Sequence, residues 1–188
     1  MIKLTERAIM QAFLDLLETK SMDKITVKDI IEKVGINRNT FYYHYEDIYD
    51  LIDSVFQHEV ENVVSEINEN STFYDIYVRS AAILVEHKEA IIHIYDSKSR
   101  NVIHKYLEKT SGHFVERFVR KAAEGYDLSE EGVKFITFYY SSATIAHTLD
   151  WISKGMPEYN KGFIKIMSSS FEATVDDMIK NYIRETSD

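Results

Sequence analysis

Pro157 is the single proline of a 188-residue chain, and only six glycines accompany it. Those two residue types stop helices and turn hairpins, so a chain this poor in them has few places to break. Long helices with short connections are the arrangement left. The expectation is an all-α fold of about nine helices.

The spacing of apolar residues agrees. From Thr5 to about Glu18, the residues Ala8, Ile9, Ala12, Phe13, Leu16 and Leu17 recur at gaps of three and four, the stripe of an amphipathic helix. Thr26 can cap a second helix, with Asp29 three residues on as the acid of a capping box. That helix is expected from Val27 to about Val34, where Gly35 lets it end sharply. Asn37 suits the cap of a third, short helix reaching about Tyr45. A long fourth helix follows Glu46-Asp47, with Ile48, Leu51, Ile52, Val55, Phe56, Val63 and Ile67 on one side, and ends in Asn68-Glu69-Asn70-Ser71.

The rest of the chain continues in the same manner. Thr72 with Asp75 marks another capping box, and apolar segments run to about Glu86, from Ala90 to Tyr95, and from Val102 to Ala122. Ser129 opens a helix to Ser153 that is apolar on nearly every side: Phe135, Ile136, Phe138, Tyr139, Tyr140, Ile145, Leu149, Trp151 and Ile152. A helix apolar all round must be covered all round, and a partner subunit is the simplest second cover. After the break Lys154-Gly155-Met156-Pro157, a last helix from about Glu158 to Ile183 carries Ile164, Met167, Phe171, Val175, Met178 and Tyr182, close to a heptad seam.

At 45% hydrophobic residues the chain can bury a real core. No stretch approaches the roughly 18 uninterrupted apolar residues of a membrane span. The opening Met1-Ile2-Lys3-Leu4-Thr5-Glu6-Arg7 lacks the apolar region of a signal peptide, so a cytoplasmic location and no membrane partner are expected. The absence of cysteine removes disulfides and thiolate metal sites together. Against 31 acids stand 22 lysines and arginines, a net charge of -9. Such a surface repels phosphate, so any contact with nucleic acid has to be local.

Residues 26–45 are where such a contact fits. Two short helices locked by a small apolar centre let the second enter the major groove with polar side chains toward the bases. Ile30, Val34, Ile36 and Phe41 can form that centre, leaving Lys28, Asn37, Arg38, Asn39, Tyr43 and His44 to face outward. From Lys33 to Tyr45 the sequence contains Lys33 and Arg38 and no acid. Without further signal, such a corner would read as an ordinary αα-hairpin.

The further signal is in the residue order. Thr26 opening the second helix, the Val34-Gly35-Ile36 turn, and Thr40-Phe41-Tyr42-Tyr43-His44-Tyr45 closing the third resemble the signature of the TetR/AcrR family of helix-turn-helix regulators. The resemblance implies an N-terminal three-helix DNA-binding domain over 1–46 and an all-helical dimerisation and effector-binding domain over 47–188. It implies that Thr26, Thr40, Tyr42 and His44 touch phosphates, with Lys28, Asn37, Arg38, Asn39 and Tyr43 near base edges. Arginine suits a bidentate contact to guanine and asparagine one to adenine. Relatives often have a lysine at the start of the fourth helix; this chain has Ile48, so either its affinity for DNA is lower or another base such as Lys3, Arg7 or Lys24 compensates.

In the body, His113, Phe114, Phe118, Tyr139, Tyr140, His147 and Trp151 are candidates for lining an effector pocket, although residues at helical spacing are more often ordinary core. The seven histidines include no His-x-x-x-His pair, and no metal or cofactor is expected. No phosphate-cradling glycine loop or activated serine appears, so catalysis is not expected. The reading is a homodimeric, sequence-specific transcriptional regulator of double-stranded DNA. It pairs through its last two helices, and the family resemblance implies a repressor released by a small molecule. The alternatives are a regulator or coactivator whose body binds a protein, and a helical enzyme or carrier.

Overall fold

The computed structural model describes residues 4–66, 70–158 and 161–186. Among them are nine α-helices, a 3-10 turn at Met22–Lys24, and no strand. The helices are α1 (Leu4–Leu17), α2 (Val27–Val34), α3 (Arg38–His44), α4 (Ile48–Glu66), α5 (Phe73–Glu86), α6 (Lys88–Tyr95), α7 (Asn101–Ala122), α8 (Glu130–Ser153) and α9 (Lys161–Thr186). The all-α expectation holds. Lys3, Ile67, Asn68 and Glu69, the side chain of Val63, and the stretch 159–160 where the last helix was expected to begin lie outside the described residues.

Local chemistry sets these boundaries. Thr26 and Asp29 form the expected capping box: the Thr26 hydroxyl accepts the Asp29 N–H, and the Asp29 carboxylate accepts the Thr26 N–H. Gly35 ends α2 at φ 78°, in the left-handed region. Asp47 opens α4 by accepting the N–H groups of Tyr49 and Asp50, and Ser129 caps α8 through the Gly132 N–H. Past α8, the Trp151 indole donates to the Pro157 carbonyl and closes the break before α9.

The chain forms two compact units, each assembled from separate stretches. The first comprises 1–62 and 84–106. Its core buries Ile9, Phe13 and Leu17 of α1, Ile30 of α2, Phe41 of α3 and Leu51 and Ile52 of α4, together with Ile91, Ile94 and Ile103. Two hydrogen bonds tie its stretches: His93 Nδ1 lies 2.5 Å from the Leu17 carbonyl, and the Lys98 N–H donates to Asp23. Val34 and Ile36, expected at the centre of the two-helix corner, are only half-buried. Ile30 and Phe41 are fully buried there, in a corner where α2 packs on both α1 and α3.

The second unit comprises 63–83 and 107–188. Phe73, Tyr77, Phe114, Val115, Val119, Val133, Ile136, Ile164, Phe171, Val175 and Ile179 make its core, with Phe73 and Phe171 stacked at 4.8 Å between ring centres. Tyr77 keeps its hydroxyl satisfied inside this core by pairing with Thr148 Oγ1 at 3.0 Å.

Candidate nucleic-acid interface

α2 and α3 meet through Gly35, Ile36 and Asn37. The Gly35 and Ile36 N–H groups both donate to the Ile31 carbonyl, a closure possible because Gly35 takes the left-handed conformation without a Cβ clash. Asn37 then starts α3, its side-chain oxygen accepting the N–H of Thr40 at 2.9 Å and the Thr40 hydroxyl at 3.1 Å. Both polar side chains are thereby engaged in capping the helix they were expected to help read with.

α3 presents the expected outward residues unevenly. Arg38, Asn39, Tyr42 and Tyr43 are exposed, Tyr43 at 76%. The Arg38 guanidinium lies 5.5 Å from the centre of the Tyr42 ring and donates to its hydroxyl at 3.3 Å, so the Tyr42 side chain braces the cation. Phe41 and Tyr45 are buried on the opposite side. His44 departs from expectation. Its side chain is only 7% exposed, because the ring turns inward and places Nδ1 3.2 Å from Glu6 Oε1 on α1.

α2 adds Lys28, exposed and 3.7 Å from Glu32. Lys33 is not free for phosphate in this arrangement, since Asp15 of α1 holds it at 3.1 Å. At the head of α2, the Thr26 hydroxyl donates to Asp29 at 2.6 Å. That bond, with those from Lys20 and the Thr26 N–H, lowers the Asp29 carboxyl to about 2. Burial, with Glu6 and Asp50 nearby, pushes the Tyr45 phenol up to about 12. Sequence reasoning missed Glu6 altogether: it lies 38 residues from its partner, and nothing in local spacing signals such a pair.

The body candidates occupy several places among the described residues. Phe114 and Phe118 belong to the core around Phe73 and Phe171, and Tyr140 packs edge-on against Phe171 with its hydroxyl on Thr174. Trp151 is buried against the chain break. His147 stacks on Phe163 at 3.9 Å, and burial lowers its pKa. Tyr139 is exposed. His113 lines an open, charged groove with Glu116, Arg117, Arg120 and Lys121.

A three-helix unit with a glycine-bent corner and an exposed, acid-free third helix defines a helix-turn-helix regulator. Residues 9–55 match the family described as bacterial regulatory proteins, tetR family, and residues 71–173 match a transcriptional regulator C-terminal region. The chain belongs to the TetR family of DNA-binding transcriptional regulators.

Similar proteins include the HTH-type dhaKLM operon transcriptional activator DhaS of Lactococcus lactis, 31% identical over 71 residues. That match covers 38% of this chain and 36% of the relative. An uncharacterized HTH-type transcriptional regulator, YvdT of Bacillus subtilis, is 23% identical over 65% of this chain and 69% of its own length. Among solved structures, the dihydroxyacetone kinase operon activator DhaS has the same fold, with a TM-score of 0.69 and 21% identity over 94% of this chain and 97% of that one. A TetR variant from Acinetobacter baumannii AYE in complex with minocycline aligns at 0.50 with 18% identity, covering 97% and 98%.

Proposed function

We propose that the chain works as a homodimer that sets two copies of α3 into successive major grooves about 34 to 36 Å apart, over a roughly palindromic operator. The observation that carries this reading is the face of α3, where Arg38, Asn39, Tyr42 and Tyr43 stand exposed with no acid between Lys33 and Tyr45. Thr26, Lys28, Asn37, Thr40 and His44 complete the contact set, the capped pairs through whichever lone pairs and hydrogens their caps leave. In this division of labour residues 1–46 read DNA and 47–188 pair subunits and receive the signal.

Pairing through α8 and α9 is supported by apolar residues left open on both: Phe135, Phe138 and Tyr139 on one, Phe163 and Ile166 on the other. Among the described residues no helix is long and apolar enough to cross a membrane, and we place the protein in the cytoplasm as a regulator without catalytic activity. Repression by covering a promoter, relieved when a small molecule binds the body, is the first reading of its sign. The name of DhaS as an activator favours activation as a second reading of that sign, and a body that engages a protein partner is the alternative to a small-molecule effector. Fluorescence anisotropy with the gene's own upstream DNA against random duplex, at matched salt, tests the DNA reading. Preference for the upstream sequence is expected; equal affinity for both would refute it.

A further inference from the structure

We propose that the loop between α6 and α7 is a second DNA-backbone contact of the reading unit: Lys98 and Arg100, with Lys24 from the neighbouring 3-10 turn, hold phosphates beside those that the head of α2 meets. This rests on the reading above that α3 enters the major groove.

A chain with 31 acids against 22 lysines and arginines attracts a polyanion at few places. Residues 97–107 are one of them, holding Lys98, Arg100 and Lys105 and no acid. The loop alternates: Ser97 and Ser99 are buried, while Lys98 and Arg100 are exposed. The buried serines fix it. Ser97 donates its hydroxyl to the Ile94 carbonyl at 2.6 Å and accepts the Ser99 N–H at 3.0 Å, which leaves the two cations turned outward. The Arg100 guanidinium lies 5.8 Å from the centre of the Tyr95 ring, which braces it. Neither cation has an ion-pair partner among the described residues, in contrast to Lys20, Lys28 and Lys33.

Position assigns the partner. The Lys98 N–H donates to the Asp23 carboxylate at 3.3 Å. Asp23 precedes Thr26 by three residues, so their Cα atoms are at most about 11 Å apart. Lys24, one residue nearer, is exposed and likewise without an ion-pair partner among the described residues. The loop therefore lies beside the start of α2, in the compact unit that also holds α1 and α3. Asp23 and Asp96 are the exposed acids of this surface, and against Lys24, Lys98, Arg100 and Lys105 they leave it net positive. A DNA strand repeats its negative charge about every 3.4 Å of axis, so cations on long stems along one edge can each take a phosphate.

The test is affinity by anisotropy as salt rises from about 50 mM to about 200 mM, on the gene's upstream DNA and on random duplex. The parent is compared with Lys98→Ala/Arg100→Ala. Lys121→Ala/Arg184→Ala, which removes two exposed cations from the other unit, controls for net charge. The loop variant is expected to bind about tenfold more weakly at the low end. It is also expected to lose about 1.8 per protomer from the slope of log affinity against log salt, since each phosphate contributes about 0.9. Phosphates carry no sequence information, so the loss is expected on both duplexes, with the preference for the upstream sequence kept. Melting of each variant, with and without inorganic phosphate, separates misfolding and a free-anion site. If the alanine pair does not fold, Lys98→Gln/Arg100→Gln carries the comparison.

Parental affinity and slope in the loop variant would overturn the proposal. So would an equal loss in the control pair, a loss confined to the upstream sequence, or a change seen only in the response to inorganic phosphate. A parent that binds upstream and random DNA alike removes the functional reading, and this one with it. A parent that prefers its upstream DNA while the loop variant matches it removes this one alone.

Discussion

Arg38 stands at the exposed start of α3 with its guanidinium braced on Tyr42, so replacing it removes a prepositioned donor pair. Arg38→Ala is expected to cost about 1 to 3 kcal/mol at a specific site and to relax preference for one base position, read by competition among operator variants. Gly35 matters for a different reason. Nothing lies within 4 Å of where its Cβ would be, so the penalty for a side chain is purely the left-handed backbone. Gly35→Ala should therefore lower unfolding free energy by about 1 to 2 kcal/mol, with Gly35→Asn milder, measured by the denaturant midpoint. The Asp29 carboxyl sits below its unfolded value, so it stabilises the fold above that value and loses this as pH falls from 3.8 toward about 2. Asp29→Asn is expected to remove that part of the acid-melting curve. At this scale the caps at Thr26 and Asn37 were legible because partner and cap lie three residues apart. The inward turn of His44 was not, because its cause is on another helix.

Among the helices, α8 and α9 show how far periodicity reaches. The seam Ile164, Phe171, Val175 was read correctly as apolar, yet it packs into the core of its own subunit beside Phe73 and Phe114. The same spacing serves an intramolecular groove or an intermolecular one, and only the positions of the other helices decide which. What remains for a partner is the set between the seam positions, Phe163 and Ile166, continuing the open Phe135, Phe138 and Tyr139 of α8. A charge at the centre of that set, as in Phe138→Glu, is expected to leave the fold intact and convert dimer to monomer in sedimentation equilibrium. A dimer that survives Phe138→Glu combined with Ile166→Glu would place the subunit contact elsewhere. The all-round apolar character of α8 was legible; the split between its inner and outer residues was not.

For the molecule as a whole, the acid excess governs how it meets a polyanion. Lys20, Lys28 and Lys33 each lie beside an acid, at 3.0, 3.7 and 3.1 Å, leaving Arg7, Lys24 and Arg38 as the unneutralised cations among the described residues up to α4. With each phosphate contact contributing about 0.9 to the logarithmic dependence of affinity on salt, these three account for a slope no steeper than about 3 per protomer, and Lys98 and Arg100 for about 1.8 more. A total steeper than that, measured between low and physiological salt, would mean those lysines leave their acids on the DNA. The broad architecture was legible from proline poverty and helical spacing, because both act everywhere along the chain. The grouping of distant stretches into units was not, since no local pattern records which helix returns to which. That grouping has a practical outcome for anyone recombining such proteins. The wall behind Leu17 is supplied by His93 and its neighbours, encoded well after the leading stretch, so a transplant of the first sixty residues onto a foreign body would arrive with one side unroofed. Only a graft that carries 84–106 as well would bring its own roof.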